Sequence, residues 1–138
     1  MHEWIHAEGH ENVAATHAST FEVTTDDYLT PAGDCILAIG ADRAPSDFDP
    51  GFVSACRDAG ARMEAIIRAD DRKATVTGRG HPDLAFASDR SAVVRTSEYV
   101  DDRTVMIGAD AAAADLDRGL VDALADGAEL TVELTVQS

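Results

Sequence analysis

With 138 residues, 26 acidic against 11 basic side chains and a formal net charge of −15, the chain is long enough for one ordinary core and strongly acidic. No basic run or face is available to neutralise phosphates, which argues against nucleic acid as a partner. Nothing approaches a membrane span, and Met1-His2-Glu3-Trp4 has neither the basic start nor the apolar stretch of a secretory signal, so a cytoplasmic location is expected.

In chain order, short Thr/Val/Phe-containing stretches at residues 4–9, 12–17 and 20–24 read as strands. In the last of these, Phe21 and Val23 share one face and Thr20, Glu22 and Thr24 the other. Leu29-Thr30-Pro31-Ala32-Gly33-Asp34 is turn chemistry, and residues 35–39 form an apolar strand. A first helix is predicted from the spacing of Phe48, Phe52 and Cys56, with Asp47 as its cap and Pro50 in its first turn. Strands follow at 63–69 and 74–79, then at 84–87, 91–95 and 103–107. A second helix carries Leu116, Leu120 and Leu124 and is opened by Asp110 or Asp115, and a last strand spans 129–136. The residues alone therefore predict a mainly β fold with two short helices, α+β being the alternative.

The chain also repeats itself. Gly9-His10, Tyr28, Gly40-Ala41-Asp42 and Asp47-Phe48-Asp49 return as Gly80-His81, Tyr99, Gly108-Ala109-Asp110 and Asp115-Leu116-Asp117. The offset is 71 residues from Tyr28 to Tyr99 and 68 from Asp42 to Asp110, so the copies differ by a three-residue loop. No flexible linker separates them. One domain over 1–138, built by internal duplication from halves of about 1–70 and 71–138, is the expected organisation, because each half alone is marginal for an isolated core. The aspartates of Asp47-Phe48-Asp49 lack the remaining spacing and terminal Glu of a calcium loop.

Duplication supplies an internal control: a reactive residue present in one copy has less architectural reason to be there. His10 and His81 match each other, as structural histidines beside a glycine bend or as ligands or bases facing across a pseudo-twofold axis. His17 is matched by Ser88, Glu11-Asn12 by Pro82-Asp83, Asp34 by Asp102 and Cys35 by Arg103. A position that accepts Arg in one half is not deeply buried, so Cys35 is expected at the mouth of its strand. There it fills a strand end, ligates a metal or, with a lowered pKa, acts as a nucleophile. Cys56 coincides with Leu124 and reads as a small apolar core residue, and two cysteines are no disulfide framework. His2, His6 and His10 fall on one face of an extended segment.

The segments Gly9-His10-Glu11-Asn12-Val13, Ala15-Thr16-His17, Thr20, Glu22-Val23-Thr24, Asp27-Tyr28-Leu29-Thr30-Pro31, Gly33-Asp34-Cys35-Ile36, Ala41-Asp42, Gly80-His81 and Asp102-Arg103-Thr104 together resemble the archaeal family known as domain of unknown function 371. The resemblance runs over essentially the whole chain. It implies a mainly β sandwich of jelly-roll type with short helices, and it directs attention to His10, Asn12, His17, Asp34, Cys35 and His81. It implies no activity. The excess of Asp, the single Lys73 against ten Arg and the abundant Ala, Thr and Val resemble the composition of salt-loving archaea, where hydrated carboxylates keep a surface soluble.

Two functions follow. One is a non-catalytic module that holds a small molecule or a protein in a polar groove between the halves, with His10, Glu11, Asn12 and His81 as binding residues. The other is a metal- or Cys/His-dependent enzyme, with catalytic Cys35, His17 and Asp34, or with zinc or iron held by His10, His17, Cys35 and His81.

Overall fold

Residues 1–137 are described by a computed structural model. Its strands are β1 (His2–Glu8), β2 (Thr20–Thr24), β3 (Ile36–Ala38), β4 (Arg62–Ala69), β5 (Arg72–Arg79), β6 (Ser91–Arg95), β7 (Thr104–Met106) and β8 (Glu129–Gln137). Its helices are α1 (Pro50–Cys56) and α2 (Arg118–Ala125). Alternation of buried and exposed residues along β1 and β4 puts Ile5, Ala7, Met63, Ala65 and Ile67 on the core side. Those strands join an antiparallel sheet of order β1-β8-β4-β5. The second sheet has the order β3-β2-β6-β7, with β2 and β6 antiparallel and the outer pairs β2·β3 and β6·β7 parallel. A single hydrophobic cluster draws on both sheets and both helices, from Ile5 and Phe21 to Leu120 and Val136.

Both strand orders read as palindromes of the two halves, and the finer contacts match residue by residue. Glu22 pairs with Ile36 and Val93 with Thr104, and both ladders then shift register. Glu8 bridges Ile39 as Arg79 bridges Ile107. The Gly-Ala-Asp motif ties the sheets together in each half. Gly40 (φ 62°) and Gly108 (φ 58°) adopt the left-handed conformation that favours glycine. The next amides, of Ala41 and Ala109, donate to the carbonyls of Thr24 and Arg95 in the second sheet. The carboxylates of Asp42 and Asp110 then accept from the amides of His6 and Thr77 in the first sheet.

Three local expectations are corrected. Residues 12–17 and 84–87 are not strands: Ala15 (φ 49°) and Phe86 (φ 50°) are left-handed, which breaks an extended ladder while still burying Val13, Ala15, Leu84 and Phe86. Cys35 lies just before β3 rather than in it. The helix caps are Asp49, which accepts from the Gly51 amide, and Asp117, which accepts from the Leu120 amide. Asp47 and Asp115 instead close short 3-10 turns, Pro45–Asp47 and Ala113–Asp115, by accepting from the Ala44 and Ala112 amides. The apolar stripes are buried as expected, Cys56 completely, and burial pushes its thiol up to about 12.

Candidate functional site

The two Gly-His motifs build turns against helix ends. Gly9 approaches the last turn of α2 and Gly80 that of α1, so closely that a Cβ at either would overlap the carbonyl of Leu124 or Cys56. The His81 amide donates to the Cys56 carbonyl at 3.0 Å. The imidazoles that follow do identical work: His10 Nδ1 accepts from the Asn12 amide and His81 Nδ1 from the Asp83 amide, both at 3.0 Å. Asn12 Nδ2 donates to the Leu29 carbonyl at 2.8 Å, and Glu11 is exposed. His2 and His6 lie on the exposed face of β1 beside Glu133 and Thr131.

His17 is also a turn former. Its Nδ1 accepts from the amides of Ser19 and Thr20, both at 3.2 Å. Its counterpart Ser88 receives the amides of Arg90 and Ser91 on Oγ, both at 3.1 Å. Imidazole and hydroxyl thus satisfy equivalent pairs of donors at the two positions. The carbonyls of Asp34 and Asp102 likewise both accept from this loop, through the Thr16 and His17 amides in one half and the Ser88 amide in the other.

Thr20 lies between Cys35 and His17: its hydroxyl is 3.1 Å from His17 Nδ1, and its effect on the thiol is to lower the pKa. The thiol donates to Glu22 Oε1 at 3.8 Å. Burial, and then the negative charge of Glu22, raise its pKa to about 11; they outweigh the opposing help of Thr20, and Asp34 adds a smaller push in the same upward direction. That is the wrong direction for an activated nucleophile at neutral pH. Alkylation of Cys35 by iodoacetamide is expected to be slow at pH 7 and still rising above pH 9. A rate that levels off near pH 7 in the intact protein would overturn this. Among the described residues no three His, Cys, Asp or Glu side chains are grouped to hold a metal ion. His10, His17, Cys35 and His81 therefore do not form a ready-made zinc or iron site.

Ionisable side chains of both halves do converge over the outer face of the second sheet. Glu22, 8% exposed, floors a cleft of about 310 Å³ whose lining includes Asp26, Tyr28, Arg90, Ser91 and Arg103. Arg90 holds Asp26 with two hydrogen bonds, 2.8 and 2.7 Å, and the Asp26 carboxyl is held below its usual range by that guanidinium. Arg103 stands 3.6 Å from Glu22 Oε1. This contact and that of the Cys35 thiol both fall on Oε1, and among the described residues no buried side-chain oxygen is left without a partner.

A profile of the family described as Domain of unknown function (DUF371) matches residues 5–137. The chain belongs to the DUF371 family. The uncharacterized protein MJ0206 of Methanocaldococcus jannaschii is 41% identical over 132 residues, which span 96% of this chain and 97% of that protein. The match takes in both halves and the whole cleft, and the resemblance drawn from the motif residues holds at the level of the family.

Sequence reasoning about this DUF371 chain misses the cleft because it compares Glu11, Asn12, His17, Asp34 and Cys35 with their counterparts and leaves out the charged positions on and around β2 and β6. Applied to charge, the same offsets pair Glu22 with Val93, Thr24 with Arg95, Asp26 with Ser97 and Ser19 with Arg90. Those pairs mark the place where the two halves differ in chemistry.

Proposed function

We propose that this protein is a non-catalytic binding module whose cleft between the halves takes a small charged molecule. The observation that carries this reading is the cleft itself. Its volume lies at the lower end of small-molecule sites, and a buried carboxylate and two arginines converge on it from different halves. Single-domain organisation by duplication gives such a site a rationale: the shared scaffold supplies two equivalent loops, and divergence at a few positions makes one of them specific. The acidic, Lys-poor surface belongs with a haloarchaeal-type protein in a salt-rich cytoplasm, and no helix is long and apolar enough to cross a membrane.

A ligand-observed NMR screen of charged metabolites in concentrated potassium chloride, followed by amide shift mapping, tests it. Hits are expected to move the amides of Glu22, Tyr28, Gly33 and Ser91 and to leave the His10 and His81 turns still. Ligands that shift only the turns, or a library that shifts nothing, would defeat the reading. A Cys35 nucleophile with His17 as base has the bridging Thr20 hydroxyl in its favour and the raised thiol pKa against it.

A further inference from the structure

The two halves build the same pocket twice, and in one half the protein fills it. Arg95, from the end of β6, lays its guanidinium over the Tyr99 ring with Cζ 4.9 Å from the centroid. Its Nε donates to Thr104 Oγ1 and its Nη2 to Asp101 Oδ2, both at 2.9 Å. The counterparts of Tyr99, Asp101 and Thr104 are Tyr28, Thr30 and Ile36, and all three line the open cleft. Arg95 itself is matched by Thr24, whose hydroxyl is too short to reach that space and instead accepts from the Asp26 amide. The open cleft therefore carries, in its walls, the counterparts of the three residues that hold an arginine head group in the other half.

The carboxylate has moved with the vacancy. In the filled half Asp101 supplies the negative charge from the loop and Val93 sits on the strand beneath. In the open half Thr30 is neutral and Glu22 supplies the charge from the strand. Glu22 is nearly buried, yet its neighbours are a thiol at 3.8 Å and Arg103 at 3.6 Å, both long for charge-assisted bonds. The carboxylate faces the cleft, where a cation can approach it more closely than either neighbour does. Tyr28 is 55% exposed, and Arg90 reaches only its hydroxyl, at 3.5 Å, in contrast to the guanidinium stacked on Tyr99. Anions are served less well here, because Arg90 is already committed to Asp26 through two short bonds.

Resting on the reading of the cleft as a small-molecule site, we propose that its ligand is a small guanidinium or primary ammonium compound on an alkyl stem, held as Arg95 is held in the other half. The head group bonds Glu22 and lies on Tyr28, where a cation over an aromatic face is favourable. Arg103 opposes it by like charge, so removing that charge tightens binding. An anionic ligand would respond to Arg103 with the opposite sign.

The test is an amide NMR titration of the full chain, at one potassium chloride concentration at which it is folded, with agmatine, butylamine and phosphate as probes. Agmatine or butylamine is expected to give saturable shifts at Glu22 and Tyr28. Affinity should fall at least about tenfold in Glu22→Gln, the loss of one charge-assisted contact, and rise severalfold in Arg103→Gln. Thr24→Arg, which copies the other half, should fold and abolish binding. If that variant does not fold, the Glu22 and Arg103 variants still decide the matter. Phosphate or another anion at the cleft, weakened by Arg103→Gln, would overturn the cationic ligand and leave the binding module standing. Agmatine binding that is indifferent to all three substitutions would place it elsewhere and overturn the proposal. A cleft that answers to no charged probe would overturn both.

Discussion

Gly80→Ala is expected to destabilise the protein by about 3 kcal/mol, at the upper end of what forcing an extra methyl group into a packed interior does. The position is not demanding in its torsions, since Gly80 lies outside the left-handed region, unlike Gly40 and Gly108. The demand is for space. The added Cβ would meet the Cys56 carbonyl head-on, lie 2.9 Å from the Cys56 carbonyl carbon and press on Ala61 Cβ at 3.2 Å. Backbone cannot swing aside as the end of a long side chain can, so the turn must lift off the helix. That would stretch the His81 amide bond to the Cys56 carbonyl and the Gly80 amide bond to the Ala61 carbonyl. Gly9→Ala should have a similar effect against α2, where Leu124 Cα would be 2.8 Å away. Gly127 provides the contrast: it is left-handed (φ 90°) with open space around it, so Gly127→Ala should lose only about 1 kcal/mol through torsional strain. Thermal unfolding at fixed salt measures all three. A midpoint for Gly80→Ala no lower than that for Gly127→Ala would rule out the close approach, which otherwise corresponds to a fall of roughly 10 °C.

That contact explains what the Gly-His repetition could and could not convey. Two glycines at matching positions signal a shared architectural need, and the packing of each turn on a helix end satisfies it. The histidines beside them looked equally able to form a site. The sequence gives no sign that each Nδ1 is engaged by an amide two residues on. Periodicity served the strands well where alternation was long, as in β1 and β4, and misled at 12–17 and 84–87. There Val13 and Ala15, or Leu84 and Phe86, alternate like a strand but are buried by a left-handed kink. Alternation reports which residues are covered; it does not report the torsions that cover them. Two aspartates two residues apart, Asp47 and Asp49, are both able to cap, and only the 3-10 turn before α1 settles their division of labour. The cleft was legible in principle, since Thr24 against Arg95 and Glu22 against Val93 fall straight from the offset. Their meaning required knowing that both strand positions face the same covered side of the second sheet.

Arg95→Thr, which gives the second half the residue found at Thr24, should be the most damaging change of charge in the molecule. The Arg95 side chain is 11% exposed. It is bonded to Thr104 and Asp101 and stacked over Tyr99, so its loss removes two charge-assisted hydrogen bonds and leaves Asp101 to the Thr104 hydroxyl, the Arg103 amide and the longer contact with the Arg103 guanidinium at 3.4 Å. A loss of about 2–4 kcal/mol at neutral pH is expected, in the range for breaking one side of a partly buried pair. The pH dependence has a definite sign. Burial pushes the Asp101 carboxyl upward, but the Thr104 hydroxyl, the Arg103 amide and the Arg95 guanidinium outweigh it and hold the group below its ordinary value. A depressed carboxyl stabilises the fold above its unfolded pKa, about 3.9, and that contribution disappears as pH falls through the folded value. The gap in stability between wild type and Arg95→Thr should therefore narrow as the pH is lowered below about 4, and stay constant between pH 6 and 8. Replacing the side chain also reopens a pocket whose walls are built for a guanidinium. Millimolar agmatine should raise the melting temperature of Arg95→Thr by more than it raises that of wild type, because the variant offers the compound both Asp101 and Tyr99 in addition to the cleft at Glu22. A variant that is destabilised yet gains nothing from agmatine would mean that the walls hold Arg95 only as a tethered side chain, and the likeness between the two pockets would then carry no information about a free ligand.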